Sequence, residues 1–134
     1  MRPSPSITQE RAEQAIAEAL MNTFAHTLEP GWDGYEARPV SAATLAYALQ
    51  FLGDLPSEVD TPEVGADVDG DISLDLDYGP RNIFSVRISR DGTVHYAGLF
   101  GHATYHGSET LQQGIPEPVA EGIRRAIRTA QLNA

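Results

Sequence analysis

The chain has no cysteine and no lysine among its 134 residues. Without cysteine it can form neither a disulfide nor a thiolate metal site. Without lysine, nine arginines stand alone against 19 aspartates and glutamates, for a formal net charge of −10. The all-arginine usage reads as a genome composition bias rather than as chemistry. No apolar run approaches the ~18 residues of a membrane span, so a membrane partner is not expected. Met1-Arg2-Pro3-Ser4-Pro5 leads into a polar helix, which predicts no secretory signal and a cytoplasmic home. There is no G-x-S-x-G elbow, no Walker-type phosphate loop and no dinucleotide fingerprint. The expectation is a protein that is not an enzyme and needs no cofactor.

The length suits one domain over residues 1–134. At this size folding removes roughly two-thirds of the unfolded chain's surface from water, enough for one core. The acids are unevenly placed. Nine of them (Asp54, Glu58, Asp60, Glu63, Asp67, Asp69, Asp71, Asp75 and Asp77) fall within 24 residues, and no base lies between Arg38 and Arg81. Such a field repels nucleic-acid phosphates and anionic lipids and attracts basic partners. It also serves solubility alone.

Apolar periodicity gives the order helix, loop, helix, strands, helix. The first helix is expected from about Ile7 to Leu28, with Ser6 and Gln9 spaced as a capping box. Its apolar stripe is Ile7, Ala12, Ala15, Ile16, Ala19, Leu20 and Phe24. A second helix is expected from Ala42 to Leu52 behind a Ser41 cap. Leu45, Leu49 and Leu52, with Ala42, Ala46 and Ala48, form its apolar face, and Gly53 stands as a left-handed stop. A last helix opens near Pro116. Val119, Ile123, Ala126, Ile127 and Ala130 face inward, and Arg124, Arg125 and Arg128 form an outer basic strip.

Between the second and last helices the period falls to two: Val64, Ala66; Ile72, Leu74, Leu76; Phe84, Val86, Ile88; Val94, Tyr96. Two turns share a pattern, Val68-Asp69-Gly70 and Arg90-Asp91-Gly92. A two-residue turn at Asp69-Gly70 pairs Ala66 with Ser73 and mixes the two faces of the sheet. A three-residue loop pairs Ala66 with Ile72, Val64 with Leu74, Ile88 with Val94 and Val86 with Tyr96, and keeps the faces distinct. The fold class is therefore α+β: two N-terminal helices, an antiparallel meander of four to five strands with the fifth near Thr104, and a C-terminal helix. Asp71, Asp75 and Asp77 then share the solvent side of one strand.

Asp67-Val68-Asp69-Gly70-Asp71 departs from a calcium loop. Counted from Asp67, its glycine is at position four, and Ile72 and Tyr78 occupy positions six and twelve. His102 and His106 have H-x-x-x-H spacing, but on a strand four residues span about 13 Å, too far for one metal. No metal site is expected. The alternative reading is a small metal- or ligand-binding enzyme using the His95–His106 segment.

The loop from Gly31 to Pro39 holds the only tryptophan. Its ring suits burial at the core edge if the indole N–H finds an acceptor, and it equally suits a partner anchor, with Tyr35 beside it. Asp33 can brace the turn and Gly34 can supply a positive φ. Trp32-Asp33-Gly34-Tyr35, followed by Ala37, Pro39 and Ser41 and an Ala/Leu-rich helix ending in Leu52 and Leu55-Pro56, resembles a group of small bacterial and phage proteins. They carry a W-D-[GS]-Y-x-A-x-P-x-S segment ahead of a short β-meander. The similarity covers roughly residues 28 to 99, and Glu36 stands where the group carries glycine. The resemblance supplies no catalytic residues. It implies a mobile-element or phage origin and a role as an antitoxin, immunity or anti-defence (including anti-CRISPR-type) protein.

Together these readings predict a non-enzymatic inhibitor. Asp67, Asp69, Asp71, Asp75 and Asp77, with Trp32 and Tyr35, would meet a basic surface of a nucleic-acid-handling protein. Direct nucleic-acid binding through the arginine strip is disfavoured by net charge. A homodimer is compatible with this reading.

Overall fold

Both three-residue loops form. Gly70 (φ 84°) and Gly92 (φ 83°) take the left-handed position that an L side chain resists. Around them the computed structural model, which describes residues 7–34, 37–56, 58–59 and 62–132 (backbone alone for 7–13), has three helices and one sheet. The helices are α1 (Ile7–His26), α2 (Ala42–Gly53) and α3 (Glu117–Leu132). The strands are β1 (Glu63–Ala66), β2 (Ile72–Asp77), β3 (Asn82–Ile88), β4 (Thr93–Phe100) and β5 (Ala103–Thr110). They pair in sequence order as an antiparallel meander. Ala66 lies opposite Ile72, Val64 opposite Leu74, Ile88 opposite Val94 and Val86 opposite Tyr96, as the alternation predicts. No described helix is long and apolar enough to cross a membrane.

One face of the sheet makes the core. Ile72, Leu74, Leu76, Phe84, Val86, Ile88, Val94, Tyr96 and Phe100 pack there against Leu20 of α1, Ala48 and Phe51 of α2, and Val119, Ile123 and Ala126 of α3. Asn82 is buried on that side, and its amide donates to the Ala126 carbonyl at 3.1 Å, fixing α3 to the start of β3. Gly122 lets α3 settle on Phe84, whose ring lies where a β-carbon would be. Of the described helices only α1, beside β1 at Gly65, comes near the other face. Its residues, among them Ser73, Asp75, Asp77, Ser85, Arg87, His95, Ala97 and His106, are all at least partly exposed.

Three expectations are corrected. In α2 the buried stripe is Thr44, Ala48 and Phe51, whereas Leu49 is 41% exposed and Ala42 and Ala46 face water. The helix is apolar nearly all round, so periodicity alone does not fix its rotation, and the larger phenylalanine takes the core. Ala15 of α1 is likewise exposed. Gly53 closes α2 without a positive φ, and Asp54, at φ −102°, forms the C-cap by donating its N–H to the Leu52 and Phe51 carbonyls. Ser41 does cap α2, its hydroxyl accepting from the Thr44 amide at 3.1 Å. The Ser6 part of the expected capping box lies outside the described residues.

Candidate functional site

The tryptophan loop is built from its own backbone and one carboxylate. The Gly31 amide donates to the Ala37 carbonyl, and Asp33 Oδ1 accepts from the Ala37 amide at 3.2 Å. Gly31 and Gly34 both adopt positive φ. Thr27, buried at the end of α1, accepts the Val40 amide and ties the loop's exit to that helix. Trp32 is half-buried. Its indole N–H donates to the Arg38 carbonyl at 2.7 Å, and its ring meets His26 edge-on at 5.8 Å. The ring is therefore neither a core residue nor a free anchor. Tyr35 lies outside the described residues.

The same loop clamps the acidic turn. The Arg38 amide donates to the Val68 carbonyl, and Gly70 lies so close to the Pro39 carbonyl that a β-carbon would come within 2.7 Å of it. Trp32 and the turn Asp67–Asp71 are thus brought to one end of the sheet, a link that strand patterning does not reveal. Beside them an open polar cleft is lined by Arg38, Ser41, Asp69, Asp71, Arg90 and Asp91.

The aspartates of the turn and β2 divide into two groups. Asp67 serves the turn, its Oδ1 accepting from the amides of Asp69 and Asp71. Asp67 and Asp71 both pair with Arg87 of β3, at 3.8 and 3.2 Å. Burial, followed by the neighbouring Asp67 charge, pushes the Asp71 carboxyl above its ordinary range, while a hydrogen bond from Ser89 and the charge of Arg87 pull it back. These two acids do not form part of a free anionic ridge, because the fold's own arginine and backbone already engage them. Asp69 is exposed at the turn tip.

Asp75 and Asp77 differ. They point to the open face, and no described cation pairs with either. Glu63 of β1 lies directly opposite Asp75. Like charges so placed repel, which costs roughly 0.2–1 kcal/mol. Asp77 Oδ1 accepts from the Gly79 amide and keeps its other oxygen for solvent. Among the described residues the outward anions of the open face are therefore Asp75 and Asp77, joined by Glu63, which the sequence reading had named only as part of the acidic cluster.

The arginine strip of α3 is largely internal in its chemistry. Arg124 pairs with Glu117 and Glu121, and Arg128 pairs with Glu121. Hydrogen bonding by Arg124 holds the Glu121 carboxyl below its usual range. Arg125 lies over the Phe100 ring at 4.8 Å. This leaves little uncompensated charge for a phosphate backbone.

The histidines do not converge. His102, in the β4–β5 turn, meets Arg81 through Nδ1 at 3.0 Å. His95 Nδ1 meets the Ser108 hydroxyl at 3.2 Å. His106 lies opposite Ala97, two register positions from His95 on the same face. Among the described residues no group of three or more histidines, aspartates or glutamates is placed to hold a metal ion.

The chain matches no family model, no curated protein and no solved structure.

Proposed function

We propose that this protein is a non-enzymatic, acidic binding module. Its open sheet face docks on a basic surface of a nucleic-acid-handling protein and blocks it. The observation that carries the reading is the Glu63–Asp75–Asp77 group on the sheet face opposite α2 and α3. Among the described residues two carboxylates face each other with no cation in ion-pair distance, and such departures from packing rules are expected where a surface serves a partner. Complementary charge speeds encounter and sets register. Asp69 and the half-buried Trp32, at one end of the same sheet, extend the footprint. The resemblance of the tryptophan segment supports an antitoxin, immunity or anti-defence setting.

The test is affinity against salt. The immobilised chain is used to isolate its partner from the source cell at low ionic strength, and the dissociation constant is then measured with purified components. The expected partner is basic and releases nucleic acid when it binds. Its affinity falls about tenfold or more between ~50 and ~300 mM salt, since surface charges are screened over roughly 8 Å at physiological strength. Asp75→Asn with Asp77→Asn weakens it by a similar factor. An affinity indifferent to salt and to both substitutions would rule the reading out.

A further inference from the structure

The geometry points to a second copy of this chain as the occupant of the β5 edge. β5 runs for eight residues in unbroken register with β4, from Thr93 opposite Thr110 to Phe100 opposite Ala103. Among the described residues nothing pairs with its other side. Proteins normally blunt so long an edge with proline, charged side chains (lysine above all, or a charge pointing inward), a bulge or a covering element. β5 has no proline, lysine or arginine, its register holds no bulge, and α3 packs on the inner face of the sheet; its one inward charge, Glu109, stands near the end of the strand opposite Val94 and leaves Ala103–Ser108 without such a guard. The opposite edge, β1, is four residues long and has α1 packed beside it.

Charge selects the occupant. The only charged residue of β5 is Glu109. The carboxylates without a described ion pair sit on β2 and β1, three and four strand spacings away, about 14 and 19 Å. A cationic peptide strand would be drawn to that half and not to β5. A second copy adding antiparallel at β5 puts the two β2 strands seven spacings apart, about 33 Å, several screening lengths at physiological salt. The net charge of −10 therefore does not oppose this contact at short range.

The strand is also self-complementary. With Gly107 on the two-fold axis, Thr104 faces Thr110 of the copy, His106 faces Ser108, and Tyr105 faces Glu109. No like charges meet, and Thr–Thr and hydroxyl pairs are favourable across strands. The His–Ser pairing repeats one already present inside the sheet, where His95 lies opposite Ser108 and bonds to it. The Tyr96 ring already fills the space that a side chain at position 107 would need, so the axis has no protruding group.

This inference does not rest on the acidic-face reading. It is tested by sedimentation equilibrium of the full chain from about 1 μM to about 1 mM. The expected result is a mass rising with concentration to twice 14.5 kDa. His106→Lys with Ser108→Lys sets cations opposite each other and should weaken self-association at least tenfold, while circular dichroism of the dilute chain shows it still folded. Mixing that variant with His106→Glu/Ser108→Glu should restore a heterodimer, and Asp75→Asn/Asp77→Asn should leave the dimer as it was. A wild-type mass of one chain throughout overturns the inference. So does a dimer that survives the lysine pair, or a lysine–glutamate mixture that stays monomeric.

Discussion

Glu63 and Asp75 face each other across the β1–β2 register on the open side of the sheet, and no described cation forms an ion pair with either. The contrast with Asp67 and Asp71, which share Arg87, sets apart two uses of the same residue type within a dozen positions. One group holds a turn in shape. The other presents uncompensated charge.

Replacing Asp75 with asparagine removes the repulsion and keeps the shape. The protein is expected to become more stable by about 0.2–1 kcal/mol, read as a higher melting temperature, while affinity for a basic partner falls. If stability drops instead, the carboxylate has a structural role inside the fold.

Trp32→Phe keeps an aromatic ring beside His26 and loses the hydrogen bond to Arg38. The expected cost is about 1 kcal/mol, the net worth of one such bond. Because the Arg38 amide also holds the acidic turn, amide exchange at Val68–Gly70 should quicken in the same variant. Unchanged exchange there would mean that the loop and the turn are not coupled.

Two glycine substitutions should move stability in opposite directions. Gly122→Ala puts a methyl group into the Phe84 ring. Overpacking of that kind costs about 1–3 kcal/mol, outweighing the roughly 1 kcal/mol that alanine gains over glycine in a helix. Gly53→Ala meets nothing within 4 Å and needs no positive φ, so it should stabilise by about 0.4–1 kcal/mol. Thermal melts of the two variants check the pair.

Arg87→Gln removes the cation from ionised Asp71. Arg87 is about half exposed, so the loss at neutral pH should be at the surface scale, about 0.5–1 kcal/mol. The sign with pH follows from Asp71, whose folded-state carboxyl titrates above its ordinary range. Ionised Asp71 disfavours the fold, and protonation relieves this as pH falls through that folded value. The deficit of the variant should therefore shrink on acidification, and Asp71 should titrate still higher than in the wild type. Carboxyl chemical shifts followed over an acid titration report both.

The sheet was legible because two constraints agreed. Alternation named the buried residues, and only a three-residue loop kept Ala66 with Ile72 and Ile88 with Val94 on one face. The β2–β3 register was harder, since the Gly79–Asn82 turn gives no such choice. Without it Arg87 is not seen to reach Asp67 and Asp71, so the aspartate row read as uniformly free. The arginine strip was placed correctly on the outer side of α3, but its ion-pair partners were not read. Glu121 and Arg124 stand three apart and Glu117 and Arg124 seven apart, spacings that share a helix face, but the excess of cations drew more weight than their neighbours. In α2 the sequence offers apolar residues on every side, and only packing against the sheet decides between Leu49 and Phe51. The Trp32–Arg38 bond lies in irregular backbone, where no period exists to read.

With α2 and α3 packed behind the sheet and α1 at its β1 edge, most of the front carries little architectural duty. A side chain there can be exchanged at a typical surface cost within about ±0.5 kcal/mol, while the strands that carry it stay fixed by the core beneath. Such a front can be rewritten residue by residue, and the scaffold need not be reinvented each time.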